Sequence, residues 1–202
     1  MQRIGITGGI ASGKSVVAST LRDLDFPVID ADGLAHQLIE PGQPAFAEIV
    51  QEFGNGILDS AHHIDRSKLG AIVFADRAKL DRLNAIVHPR VDTAVAQQFY
   101  EWECLASFEA AFVEAALIIE AGLHRKLDGL IVAWCRPEQQ LERLVARGFT
   151  EAEAQRRIAS QMPVDEKRRY ATERIDCSGT LDATRHQVEA LAAKLRGETS
   201  NS

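Results

Sequence analysis

The segment from Gly8 to Ser15 constrains the fold of this chain most strongly, because it places a glycine-rich loop between an apolar run and an amphipathic helix. Residues 3–7 form the apolar run, and Val17, Leu21 and Leu24 recur behind the loop at helical spacing. The loop itself reads Gly-x-x-x-x-Gly-Lys-Ser. This order of strand, loop and helix predicts a phosphate-binding loop, and the alternative is a glycine-rich turn without a ligand.

Each residue type in this loop has a physical role in holding phosphates. Glycines let the backbone curl so that successive N–H groups point at phosphate oxygens, and the following helix adds the positive end of its dipole. Lys14 is then expected to reach the β- and γ-phosphates of a nucleoside triphosphate, and the Ser15 hydroxyl is expected to ligate Mg²⁺.

Asp30 and Asp32 follow the second predicted strand, residues 26–29, at the sheet edge that also carries the loop. A carboxylate there can accept the proton of an attacking hydroxyl or hold the Mg²⁺ shell. The alternative is a helix N-cap, and the pattern favours function for Asp32 while leaving Asp30 open. Glu114 and Glu120 flank a later apolar strand, where they either join the Mg²⁺ network or only solubilise the strand ends.

The pattern from residue 33 to about residue 100 is helical and longer than a simple crossover between two strands requires. One helix is expected after Pro44, and Ser67 and Asp76 are predicted N-caps of two more. The pair His88-Pro89 is expected to break or kink the run, with His88 as either a substrate contact or a polar cap. This stretch therefore predicts a small helical subdomain.

Apolar runs at residues 110–119 and 127–135 predict buried strands that alternate with helices, as in a parallel sheet covered on both faces. Residues 138–162 form an arginine-rich helical segment with an interruption at residues 148–150. Two helices joined by a short hinge suit a lid. A last short strand is expected at residues 174–176.

Arg143 and Arg147 lie four apart on one face of the predicted lid helix. Guanidinium groups bind phosphate oxygens in pairs, and a closing lid would bring them to the developing charge while excluding water. The alternative for each arginine is a solvated helix face with acidic partners.

Composition limits the kinds of partner. The formal net charge is −6, which argues against a nucleic acid or a membrane surface as the main partner. The three cysteines show no Cys-x-x-Cys spacing, so we expect reduced thiols in a cytoplasmic protein. No apolar run approaches the roughly 20 residues of a membrane span.

Taken in order, these motifs make the chain resemble the dephospho-CoA kinase family over nearly its whole length. The motifs that carry the resemblance lie at residues 4–15, 28–32, 69–76, 83–89 and 140–147, at Gln161 and at residues 175–179.

The resemblance implies an α/β fold of the P-loop nucleoside triphosphate hydrolase type, with a parallel sheet, an inserted helical acceptor-binding subdomain and a helical lid. The implied boundaries are about 1–32, 108–137 and 170–197 for the core, 33–107 for the subdomain and 138–169 for the lid.

The resemblance also implies the reaction: the γ-phosphoryl group of ATP passes to the 3′-hydroxyl of dephospho-CoA, with Mg²⁺, in the cytoplasm. The implied catalytic residues are Lys14, Asp32 and Arg143, and the implied acceptor contacts are Asp32, His88 and Arg143. Implied ATP contacts are Gly8, Gly9, Ala11, Ser12, Gly13, Lys14, Ser15, Val16, Arg147 and Cys177.

Four positions depart from the family pattern. Ala11 stands in place of a loop glycine, where we expect that the position need only avoid bulk. Glu114 replaces an aspartate, and Ala116 replaces a proline. Cys177 replaces an asparagine near the adenine, so an amide able to read a base edge is missing.

Two other functions compete with this reading. One is a different small-molecule P-loop kinase that acts on a nucleoside or nucleotide, and the predicted acceptor-binding helices distinguish it. The other is a nucleotide-dependent switch, against which the predicted lid and the missing Asn-Lys-x-Asp motif both count.

Overall fold

The computed structural model of the protein describes residues 1–105 and 108–197. The chain forms two compact units: residues 1–30 together with the chain from residue 99 onward, and residues 31–98. The boundaries expected from the sequence stay predictions, and the one between residues 107 and 108 touches residues outside the described part.

Five parallel strands form the sheet of the first unit, in the order β2-β3-β1-β4-β5. Their bounds are β1 Gln2–Gly8, β2 Val28–Asp30, β3 Ala110–Glu114, β4 Gly129–Trp134 and β5 Glu173–Asp176. The central strand β1 and its neighbour β3 are buried along almost their whole length, as expected for a parallel sheet with helices on both faces. The predicted α/β fold is confirmed.

The helices complete both units. In chain order they are α1 Lys14–Asp23, α2 Ala31–Leu38, α3 Pro44–Phe53, α4 Arg66–Phe74, α5 Arg77–Leu105, α6 Pro137–Ala146, α7 Glu151–Ala159, α8 Val164–Lys167 and α9 Leu181–Leu195. Helices α1 and α9 pack against each other, and Val17, Leu21 and Val188 are fully buried between them and the sheet. None of the described helices is both long and apolar enough to cross a membrane.

The predicted interruption of the arginine-rich segment is confirmed. Helix α6 ends at Ala146 and α7 begins at Glu151. Gly148 has φ 92°, a left-handed conformation that suits glycine, and the Thr150 hydroxyl accepts a hydrogen bond from Glu153 N. The chain therefore stops one helix and starts the next within four residues.

The predicted strand at residues 110–119 is too long, because β3 ends at Glu114. The residues from 116 onward form a turn, yet Ile118 and Ile119 are only 1% and 5% exposed. A continuous apolar run reports burial and cannot by itself separate a strand from a buried turn. Similarly, β2 ends at Asp30, so Asp32 lies in the first turn of α2 rather than at the strand end.

A separate apolar cluster stabilises the second unit. Its buried members are Ala45, Ile49, Ile57, Leu69 and Val73, contributed by α3, α4 and the one-turn helix Asn55–Ile57. Helix α3 begins at Pro44, as predicted from the favoured place of proline in a first turn.

One local prediction in this unit is wrong and one is confirmed. Asp65, not Ser67, caps α4, because its carboxylate accepts hydrogen bonds from Ser67 N at 2.9 Å and Lys68 N at 3.2 Å. Asp76 does cap α5, as predicted.

Pro89 does not break the chain's longest described helix, since α5 continues for 16 residues beyond it. Proline removes one backbone donor from the helix. That donor would have bonded the Ala85 carbonyl, four residues back. The Arg90 guanidinium donates to the neighbouring carbonyl of Ile86 at 2.5 Å and so adds a side-chain hydrogen bond in the same turn. Burial of Val95 and Phe99, each 2% exposed, stabilises the helix further on.

Candidate active site

The loop between β1 and α1 has the backbone shape that its glycines predict. Gly13 has φ 106°, and a β-carbon there would lie 2.7 Å from Cys177 Sγ. At Gly8 a β-carbon would lie 2.4 Å from both the Ala133 carbonyl oxygen and Ser12 Oγ. Such contacts are too close for any side chain, so both positions require glycine.

Ala11 also has a left-handed backbone, with φ 58°. The expectation that this position need only avoid bulk is therefore wrong, because the loop demands a conformation that costs an L-residue about 1–2 kcal/mol. Glycine would adopt it freely. The chain holds Ala11 there by contacts described below.

The loop opens directly onto the N-terminus of α1, a helix of 10 residues. The first N–H groups of a helix have no partner within it and carry the positive end of its dipole. Ser15 is exposed, and Lys14 and Val16 are half-buried in the first turn. Ser12 is 1% exposed as a whole residue, and its N–H donates to the carbonyl of Gly9 at 3.1 Å, which closes the loop on itself. This end of α1 can bind an anion.

A buried carboxylate lies beside the loop. Glu114 ends β3, is 8% exposed, and pairs with Lys14 Nζ at 3.3 Å and with Arg22 Nη2 at 3.5 Å. Glu114 is the register partner of Asp30 in β2, so the two acids end neighbouring strands at one sheet edge. Asp30 itself is exposed.

Arg22 was not predicted as a site residue, although a sequence signal existed. It lies seven positions after Ser15 on α1, which places both residues on the same helix face. The sequence does not show that Glu114 is its partner, because Glu114 comes close to Arg22 only when β3 pairs with β1.

Arg143 and Arg147 have different surroundings. The Arg143 guanidinium donates to the carbonyl of Ala11 at 3.1 Å and to that of Cys177 at 2.7 Å, so it touches the loop directly. Arg147 is exposed at the end of α6. The structure thus brings Arg143 to the loop, and contact of either arginine with phosphate stays a prediction.

The Cys177 side chain belongs to the core beneath the loop. It is 4% exposed and packs against Gly13, and burial raises the pKa of its thiol to about 11. The thiol is therefore neutral at physiological pH. Contact of Cys177 with a nucleotide stays a prediction, and the backbone carbonyl of this residue already accepts from Arg143.

Asp32 and His88 belong to the second unit. Asp32 is exposed in the first turn of α2, and His88 is half-buried on α5. Burial lowers the pKa of His88 below its usual value of 6.5, against the opposing effect of the Asp92 carboxylate. The imidazole is therefore neutral at physiological pH and can donate or accept one hydrogen bond.

Two glutamines that bind the loop backbone, Gln140 and Gln161, were not predicted to have a role of their own. No local pattern could have revealed them, since their partners lie more than a hundred residues away in the sequence.

Three features define a P-loop protein of the kinase class: the parallel sheet, the glycine loop that opens onto α1, and the buried acid beside the loop lysine. Comparison with known proteins narrows the class. Residues 2–183 match the family model described as dephospho-CoA kinase. A dephospho-CoA kinase of Symbiobacterium thermophilum is 45% identical over 191 residues, covering 94% of this chain and 80% of the relative.

Two further dephospho-CoA kinases are similar to this chain over most of its length. A dephospho-CoA kinase of Bacillus anthracis is 42% identical over 95% of this chain and 96% of the relative. The solved structure of a dephospho-CoA kinase from Campylobacter jejuni superposes with a TM-score of 0.72 at 26% identity, covering 98% of each chain. This chain belongs to the dephospho-CoA kinase family.

Proposed function

We propose that this protein transfers the γ-phosphoryl group of ATP to the 3′-hydroxyl of dephospho-CoA, giving CoA and ADP. The observation that carries the proposal is the loop, in which glycine geometry, the N-terminus of α1 and Lys14 converge on one anion-binding site. Membership of the family supplies the acceptor.

The loop holds the phosphate chain of ATP. Backbone N–H groups of Gly13, Lys14 and Ser15 and the helix dipole neutralise the β-phosphate, while the Lys14 ammonium stabilises the charge that develops on the transferred group. In the described structure Lys14 faces Glu114, so nucleotide binding must turn the ammonium from a carboxylate to a phosphate. Arg143 lies next to the loop and adds a second cation.

The residues present fit Mg²⁺. Glu114 Oε2 is buried, makes no hydrogen bond in the described part of the chain and has Arg22 Nη2 at 3.5 Å, and Ser15 offers an exposed hydroxyl at the start of α1. Mg²⁺ prefers such oxygen ligands and takes its remaining ones from phosphates and water, so a dedicated protein cage is not needed. Ser15 and Glu114 would hold the ion, which supplies neutralising charge at the phosphates.

Asp32 is the proposed base. Its carboxylate is exposed two residues beyond the strand end that neighbours Glu114, and a carboxylate can accept the proton of the attacking ribose hydroxyl. His88 and Arg143 are proposed to contact the acceptor. The three free cysteines, two of them buried, fit a cytoplasmic protein with reduced thiols.

An acceptor panel tests the proposal. Purified protein with ATP and Mg²⁺ is assayed for ADP release in the presence of dephospho-CoA, nucleosides, nucleoside monophosphates or no acceptor. ADP is expected to appear rapidly with dephospho-CoA alone. Equal turnover with a nucleoside monophosphate would favour the competing function of a nucleotide kinase.

A further inference from the structure

Two glutamine side chains bind both polar groups of one loop residue, Ile10. The N–H of Ile10 donates to Gln161 Oε1 at 2.8 Å, and its carbonyl accepts from Gln140 Nε2 at 2.7 Å. Gln140 lies on α6 and is 4% exposed, whereas Gln161 follows α7 and is half-buried. We call these two residues the glutamine pair.

The next residue, Ala11, is the loop's strained position, with φ 58°. The peptide plane before its Cα atom contains the Ile10 carbonyl, which Gln140 holds. The peptide plane after it contains the Ala11 carbonyl, which accepts from Arg143 at 3.1 Å. Because both flanking planes are fixed from α6, the left-handed conformation of Ala11 is imposed by tertiary contacts.

Gly9 provides the space for this arrangement. A β-carbon on Gly9 would lie 2.4 Å from Gln140 Nε2, so the absence of a side chain there lets the buried amide reach the loop. The Gln140 amide in turn donates the hydrogen bond that the Ile10 carbonyl needs.

We infer that Gln140 and Gln161 are positioning residues for ATP, which hold the loop in its phosphate-binding shape by fixing the peptide planes around Ile10 and Ala11. The loop of this chain needs the pair because it carries alanine where glycine would adopt positive φ unaided. The role requires that the loop bind ATP, as proposed above, and does not depend on which acceptor is used.

The test measures the dissociation constant of ADP by calorimetry, which needs no acceptor. The variants are Gln140→Met, Gln161→Met and Ala11→Gly, alone and as double variants with Ala11→Gly. Methionine keeps the length of glutamine and removes its amide. Gln155→Met is the matched control, because that amide lies on α7 and donates to Glu151 Oε1 instead of the loop.

Each methionine variant of the pair is expected to weaken ADP binding about threefold to tenfold, the value of one hydrogen bond. Kinetics should show a raised KM for ATP with the KM for dephospho-CoA unchanged. Adding Ala11→Gly should recover most of the lost affinity, because glycine reaches the required φ without the pair. The Gln155→Met control should bind ADP as the unmodified protein does.

ADP affinity unchanged in a folded Gln140→Met variant would overturn the role of the pair, and so would a loss that Ala11→Gly does not reduce. If Gln140→Met fails to fold, Gln161→Met decides the question, because Gln161 is only half-buried. Failure of the proposed function is recognised separately, in the acceptor panel: a protein that binds ADP but does not phosphorylate dephospho-CoA would refute the proposed acceptor, while the ADP titrations would still decide the role of the pair.

Discussion

The two units of this protein place their charged groups differently. Besides surface pairs, the first unit contains buried ion pairs: Lys167 is fully buried against Glu120, and Glu114 is 8% exposed between Lys14 and Arg22. In the second unit the ion pairs lie on the surface, as in the pair of Arg82 with Glu52, whose side chains are 65% and 34% exposed.

The difference in burial affects both how firmly the charged groups are held and what stabilises each unit. A buried charge keeps a fixed geometry, because moving it away from its partner carries a large desolvation cost. Surface pairs contribute little and can rearrange, so the second unit depends for its stability on the apolar cluster around Ile49. Fixed charges suit a site that handles phosphates, while an adaptable surface suits recognition of a larger acceptor.

The largest expected effect belongs to Asp32, which tests whether the second unit contributes chemistry as well as shape. Asp32→Asn should lower kcat by about 10²–10⁴-fold, since the amide cannot accept the proton. The KM for ATP should change far less, because a base acts in the transition state. Asp30→Asn is the matched control, and a larger kcat loss in that variant would transfer the role of base to Asp30.

Next in size is the effect of Lys14, the half-buried cation of the loop that is proposed to contact the phosphates. Lys14→Ala should lower kcat/KM about 10²–10³-fold, in the range seen when one stabilising donor is removed. Lys194→Ala serves as the control, since that lysine pairs with Glu173 on the surface of the same unit. Retention of most activity by a folded Lys14→Ala variant would refute the proposed role of the loop lysine.

The energetic contrast between the units is tested by removing one cation from each. Lys167→Met should lower the free energy of unfolding by about 3 kcal/mol, because Glu120 and the Ala116 carbonyl lose their shared donor. Arg82→Met in the second unit should leave the denaturation midpoint unchanged within error. Chemical denaturation measures both, and equal losses would remove the distinction between buried and surface pairs.

The smallest effect concerns pH. Because burial lowers the pKa of His88, the unfolded chain binds a proton more readily than the folded chain. Stability is therefore complete above the usual pKa of 6.5 and declines as the pH falls from there through the folded pKa. His88→Gln should flatten this part of the stability curve, and a variant with the same slope as the unmodified protein would assign the effect to another group.

The sequence predicted the parts of the structure that local patterns encode. The loop, the short strand at β5 and the division of the arginine-rich segment into α6 and α7 all follow from residue type and spacing. The cap of α4 was misplaced by two residues because several polar residues cluster there, and only the geometry selects Asp65. Likewise, burial without a strand at Ile118 and Ile119 depends on packing that an apolar run does not specify.

The site was less predictable because its contacts join distant parts of the chain. Gln161 and Ile10 are 151 residues apart in sequence, and only the fold makes them hydrogen-bond partners. The positive φ of Ala11 is hidden for a different reason, since alanine gives no sign of a conformation that tertiary contacts impose. The resemblance to the family indicated that alanine replaces a glycine at this position, but not that the alanine must adopt a positive φ.

The central claim, transfer to the 3′-hydroxyl of dephospho-CoA, is tested most directly by following the phosphoryl group. Protein is incubated with dephospho-CoA and ATP labelled in the γ-phosphate, and the labelled product is treated with a phosphatase specific for 3′-phosphates. The label should appear in CoA and be released by that phosphatase. Label that stays in inorganic phosphate, or that enters a product resistant to the phosphatase, would contradict the proposed reaction.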